Sequence, residues 1–99
     1  MRILIVDDEP LARERLAALI RELAVGEVVG EAGNGIEALT AVAAHAPQLV
    51  LLDIRMPGMD GLEVAQHLVH YDHPPAVIFT TAFGDYALEA FEASMLTQK

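Results

Sequence analysis

Short apolar runs alternate along this chain with stretches whose apolar residues recur at helical spacing. Ile3-Leu4-Ile5-Val6, Leu49-Val50-Leu51-Leu52 and Ala76-Val77-Ile78-Phe79 are the strong runs, and Val28-Val29-Gly30 is a weaker one. Runs apolar at successive positions predict strands covered on both faces, as in a parallel sheet. Between them, Leu11, Leu16, Leu19, Ile20 and Leu23 mark the buried stripe of a first helix, with Gly26 as its stop. Arg13, Glu14, Arg15, Arg21 and Glu22 mark that helix's wet face, and Asp8-Glu9-Pro10 suits its positive amino end. Ile36, Leu39, Val42 and Ala43 open a second helix, closed by Pro47. Leu62, Ala65, Leu68 and Val69 face inward from a third, and Tyr86 to Ala93 forms a fourth. Gly33-Asn34-Gly35 and His73-Pro74-Pro75 punctuate the pattern as turns.

Strands alternating with helices predict an α/β fold, a doubly wound parallel sheet with right-handed crossovers and helices on both faces. Each strong run ends in oxygen-bearing side chains: Asp7-Asp8, Asp53 and Thr80-Thr81. In a sheet ordered 2-1-3-4, an assumption at this point, the first and third strands are neighbours at the switch point. Asp7, Asp8 and Asp53 then share the crevice beyond the carboxyl ends of the strands, with Thr81 on the next strand over. Thr80 faces the other way, because side chains alternate along a strand.

Composition narrows the function. The 99 residues suit one domain, and 54% hydrophobic content argues against disorder. A formal charge of -9 with six basic residues repels phosphate backbones, so nucleic acid is not an expected partner of this domain alone. No cysteine is present, which excludes disulfides and thiolate metal sites. The apolar runs are too short to span a bilayer, and Asp7-Asp8 interrupts any signal-peptide pattern, so the expected location is cytoplasmic.

Three carboxylates held close repel one another, which raises their proton affinity unless a cation neutralises them. Hard oxygen donors suit Mg²⁺, which would orient an acceptor oxygen and screen an incoming phosphate. A carboxylate nucleophile yields an acyl phosphate, and a nearby hydroxyl offers a donor sensitive to that phosphate.

Ile5-Val6-Asp7-Asp8-Glu9-Pro10, Leu51-Leu52-Asp53-Ile54-Arg55-Met56-Pro57-Gly58-Met59-Asp60-Gly61 and Thr80-Thr81-Ala82-Phe83 together resemble the receiver domain of two-component response regulators. Pro10 to Leu16 and Tyr86 to Glu92 look most like the AlgR/LytR branch, whose members usually carry a DNA-binding domain after the receiver. The resemblance implies a flavodoxin-like fold over residues 1–93, followed by an atypical tail at 94–99. It implies that Asp53 takes a phosphoryl group from a phosphohistidine on a sensor histidine kinase. Asp8 and Asp53 would bind Mg²⁺ directly, Asp7 through water, and Arg55 through its main-chain carbonyl. Thr81 would hydrogen-bond the phosphate and move inward on phosphorylation, while Pro57 and Gly58 shape the loop beside the acceptor.

The family pattern also has a fifth strand ending in a Lys-Pro pair, expected just past Lys99. Ser94 to Lys99 has neither the apolar run nor the proline, and Lys99 sits early and out of context. The fifth β-α unit is therefore expected to be missing. The fourth strand would then be a sheet edge, and the first helix would lose a neighbour. Self-association, a homodimer included, or origin as a fragment of a longer regulator would answer that exposure.

Rival readings are weaker. A phosphohydrolase of the haloacid dehalogenase type needs a second aspartate two residues after the nucleophile, where this chain has Arg55. An alternative of another class is a receiver-like binding or dimerisation module incompetent for phosphorylation. His45, His67, His70 and His73 lack a metal-ligand spacing and read as solvated helix ends. Phe83, Tyr86 and Phe91 are too sparse for a base-stacking platform and read as core or partner-facing.

Overall fold

The computed structural model describes residues 1–80. Thr81, Phe83, Tyr86, Phe91, Lys99, the fourth helix and the tail at 94–99 lie outside the described residues. The elements are β1 (Arg2–Val6), α1 (Pro10–Leu23), β2 (Glu27–Ala32), α2 (Gly35–His45), β3 (Leu49–Leu52), α3 (Gly61–Leu68) and β4 (Ala76–Phe79). All strand pairs are parallel and the order is β2-β1-β3-β4, so the assumed 2-1-3-4 order holds. The two most apolar runs, β1 and β3, are the central strands because only there is each strand flanked on both edges and faces.

The alternation of side chains splits the core in two. Leu4, Val6, Val50 and Leu52 face α2 and α3, packing with Ala38, Val42, Val64 and Leu68. Ile3 and Ile5 face α1 and pack with Ile20. Each of these side chains is at least nine-tenths buried, and burying one of the larger ones stabilises the fold by about 1.5–3 kcal/mol.

Several elements differ from the sequence pattern. The stop of α1 is Ala24, in the left-handed region at φ 53°, with its N–H donating to the Arg21 carbonyl at 3.2 Å. Gly26 lies beyond it, in the link to β2. Ala46 caps α2 in the same way, directly before Pro47. These caps satisfy helix carbonyls that would otherwise lack donors, which offsets a left-handed alanine's cost of about 1–2 kcal/mol. Strand β2 is six residues long and accompanies β1 throughout, with one irregularity between Ile3 and Leu4. Its exposed Glu27 and Glu31 hid that length, because an edge strand needs its backbone ladder more than apolar side chains.

Helix faces are rotated from the expected ones. In α1 only Ile20 is buried, Leu16 and Ala17 are half-buried, and Leu11, Leu19 and Leu23 are exposed. In α2 the buried apolar side chains are those of Ala38 and Val42, while Ile36 and Ala43 are exposed. In α3 they are those of Val64 and Leu68, with Leu62 and Ala65 half-buried and Val69 exposed at the cap. In an alanine- and leucine-rich helix more than one stripe has helical spacing, and docking on the sheet selects one. Among the described residues β4 is a sheet edge, and its Ile78 is exposed.

Candidate functional site

The sheet's hydrogen-bond ladder runs one residue past each of three strands. The Asp7 N–H donates to the Ala32 carbonyl at 3.0 Å, Asp53 to Val6 at 2.9 Å and Thr80 to Leu52 at 3.0 Å. Asp7, Asp53 and Thr80 are thereby held in the register of the sheet at its carboxyl edge, on either side of the β1–β3 switch point. A carboxylate oxygen from each of Asp7, Asp8 and Asp53 lies within 4.8 Å of the others. Asp53 is buried at 7% exposure, Asp7 is half-buried, and Asp8 is exposed.

Local turns aim these groups. Asp7 Oδ1 accepts the Glu9 N–H at 2.9 Å, turning the chain into α1, where Pro10 occupies the first turn. Asp53 Oδ1 accepts the Arg55 N–H at 3.2 Å, so the chain folds back on the Asp53 carboxylate within two residues. The loop is then anchored inward by Ile54 and Met56, both buried. Gly58 takes φ 75°, where L side chains are strained. Gly61 closes the loop: its N–H donates to the Ile54 carbonyl at 2.9 Å, and a Cβ there would collide with the Asp53 carbonyl oxygen and lie 2.8 Å from Ile54 Cα. Asp60 caps α3, accepting the Glu63 N–H at 2.9 Å.

Burial raises the Asp7 carboxyl above its ordinary value of 3.8, opposed by the Glu9 N–H and reinforced by the negative charges of Asp53, Asp8 and Glu9. A site that pushes a carboxyl toward its protonated form is one that a cation would relieve.

Among the described residues, Asp7, Asp8 and Asp53 form the group able to hold a metal, and the exposed His45, His67, His70 and His73 join none. A cavity of about 550 Å³ near Val42, Pro47, Tyr71 and Pro75 lies at the opposite end of the sheet, away from the carboxylates. The residue that the sequence pattern misassigned is Arg13. It is half-buried, its Nη1 donating to the Asp7 carbonyl at 2.7 Å and its Nε to Glu31 at 3.1 Å. Its place on α1 shortly after Asp8 was the available signal; its register against β2 was not legible.

The sequence profile of the response regulator receiver domain matches residues 3–98. The chain belongs to the response regulator receiver family. The receiver is 58% identical over 95 residues to the positive alginate biosynthesis regulatory protein of Pseudomonas aeruginosa, an alignment covering 95% of this chain and 38% of that protein. It is 41% identical over 96 residues to the sensory transduction protein LytT of Bacillus subtilis, covering 97% of this chain and 40% of that protein. These relatives belong to the AlgR/LytR branch, and the receiver spans well under half of their length. The response regulatory domain of mrkE from Klebsiella pneumoniae has the same fold, with a TM-score of 0.81 at 36% identity over 93% of this chain and 75% of that one. Receiver domains are phosphoacceptor signalling modules rather than classical enzymes, and among the described residues no helix is long and apolar enough to cross a membrane.

Proposed function

We propose that Asp53 is the phosphoacceptor of this receiver and that Asp7, Asp8 and Asp53 hold Mg²⁺ beside it. The observation that carries the proposal is the convergence of three carboxylates at the switch point, one of which, Asp53, is buried. The donor set fits the ion: hard carboxylate oxygens, with one carboxyl driven toward protonation by burial and its neighbours' charge. Asp8 and Asp53 would bind directly, Asp7 through water, and the Arg55 carbonyl would complete the protein ligands. Mg²⁺, when bound, neutralises the cluster and screens the approaching phosphoryl oxygens.

In the transfer, an Asp53 carboxylate oxygen attacks the phosphorus of a phosphohistidine on a sensor kinase. The P–N bond breaks, the imidazole leaves and takes up a proton, and an aspartyl phosphate remains. Protein groups position the acceptor: the Arg55 N–H orients one Asp53 oxygen, and Gly61 lets the loop close over its backbone. The same site would assist its own later dephosphorylation. The Thr81 hydroxyl is assigned to the phosphate, switching an output read as transcriptional in line with the name of a relative, the transcriptional regulatory protein BtsR of Escherichia coli, 45% identical over 92 residues. A DNA-binding domain elsewhere in a longer protein would carry that output, in the cytoplasm, and a homodimer is a further expected partner.

Intact-mass spectrometry after incubation with acetyl phosphate and Mg²⁺ tests this. One phosphoryl adduct is expected, absent from Asp53→Asn and from the metal-free sample. No adduct on protein that circular dichroism shows to be folded would overturn the acceptor reading and leave a receiver-like binding module.

A further inference from the structure

Arg13 stands on the face of α1 that the charge pattern marks as wet, yet it is half-buried and makes two charge-assisted bonds to other elements. Its Nη1 donates to the Asp7 carbonyl at 2.7 Å, and its Nε donates to the Glu31 carboxylate on β2 at 3.1 Å. The Asp7 carbonyl belongs to the peptide that carries the Asp8 nitrogen. Fixing that carbonyl therefore fixes the plane from which Asp8 departs. Asp7 is consequently held at three points: its N–H by Ala32, its carboxylate by the Glu9 N–H, and its carbonyl by Arg13.

We propose that Arg13 is a positioning residue for cation binding, clamping the Asp7–Asp8 peptide against β2 so that both carboxylates converge on Asp53. The inference rests on the reading of that cluster as a Mg²⁺ site. An exposed ion pair contributes little, and the bond to Glu31 alone would be such a pair. The bond to the Asp7 carbonyl is different because it joins the helix to the loop that bears the ligands.

Charge and position make opposite predictions here. A guanidinium bonded to the Asp7 carbonyl repels a cation held by the Asp7 and Asp8 carboxylates, so simple removal of its charge would tighten metal binding. Loss of the clamp frees the Asp7–Asp8 peptide and weakens binding. The sign of one measurement separates them.

The experiment is a titration of the 99-residue chain with Mn²⁺ alone, a cation that shares Mg²⁺'s preference for oxygen ligands, reading the free ion by electron paramagnetic resonance. Parent, Arg13→Met and Arg13→Lys are compared at neutral pH and one ionic strength, with urea midpoints giving the folded fraction of each. Arg13→Met is expected to bind about tenfold more weakly, the size typical of residues supporting a ligand shell. Arg13→Lys, which keeps the charge and one donor, is expected to fall between; it carries the comparison if Arg13→Met does not fold. Arg13→Met binding as tightly as the parent, or more tightly, overturns the inference while leaving the site reading intact, as does Arg13→Lys matching the parent where it carries the comparison. No Mn²⁺ binding by folded parent overturns the site reading and the inference with it.

Discussion

The Asp53 N–H donates to the Val6 carbonyl at 2.9 Å, so the bond that ends the β1–β3 ladder joins Asp53 to the peptide immediately before Asp7. The spacing between the two carboxylates is therefore set by strand register. A slip of one residue would turn Asp53 to the other face of the sheet. Precision at this site depends on the central strands staying paired, and among the described residues Leu4, Ile5, Val6, Val50 and Leu52 of those strands are fully buried.

Gly61→Ala should disturb both stability and the proposed acceptor, Asp53. The added methyl would meet the Asp53 carbonyl and Ile54 Cα, both backbone, which cannot rotate away. A loss of about 1–3 kcal/mol is expected from overpacking, read from urea unfolding. The phosphoryl adduct should fall in the same variant even at temperatures where it remains folded, because the strain falls on the peptide of Asp53.

Asp7 gives the metal-free protein a signed pH dependence. Its carboxyl is raised from 3.8, chiefly by burial, so the folded state binds its proton more tightly than the unfolded state. Asp7's contribution to stability is thus full below the unfolded value. It is lost as pH rises through the raised folded value, and the penalty persists above it. Asp7→Asn should have a higher Tm than the parent at pH 7 without metal, with the gap closing below about pH 4. Saturating Mg²⁺ should reverse the order, stabilising the parent by about 2.7 kcal/mol at a hundredfold excess over its Kd.

The two side-chain caps are expected to act alike. Asn34 Oδ1 accepts the Glu37 N–H at 2.8 Å and Asp60 Oδ1 accepts the Glu63 N–H at 2.9 Å. Replacing either with alanine should cost about 1 kcal/mol in chemical denaturation. Only Asp60→Ala should also slow phosphorylation by acetyl phosphate, since α3 begins at the end of the loop that follows Asp53, the proposed acceptor.

Leu11 and Ile20 separate sequence pattern from packing. Both share the apolar spacing of α1, but Leu11 is 64% exposed and Ile20 is 6% exposed. Ile20→Ala should cost about 2–5 kcal/mol and Leu11→Ala about 0.5 kcal/mol or less by urea titration.

Much of this protein could be read along the chain. The strong runs became β1, β3 and β4, and Asp7, Asp8 and Asp53 at the ends of the first two came together as the carboxylate cluster, because strand formation and strand exit depend on contiguous residues. The motifs at Asp7-Asp8 and Asp53 to Gly61 were legible for the same reason: their turns are local. Helix phase was not, since Leu11 and Ile20 have equally good spacing until the sheet beneath selects a stripe. Nor was the length of β2, whose glutamates follow the solvent while its backbone follows β1. Arg13 shows the limit most plainly. Its neighbours in sequence mark it as solvated, whereas its partners, Asp7 and Glu31, lie on a loop and a strand that only the parallel crossover brings to one side of α1. Local chemistry is written in nearest neighbours; contacts made by strand register and helix docking exist only once the chain has closed on itself.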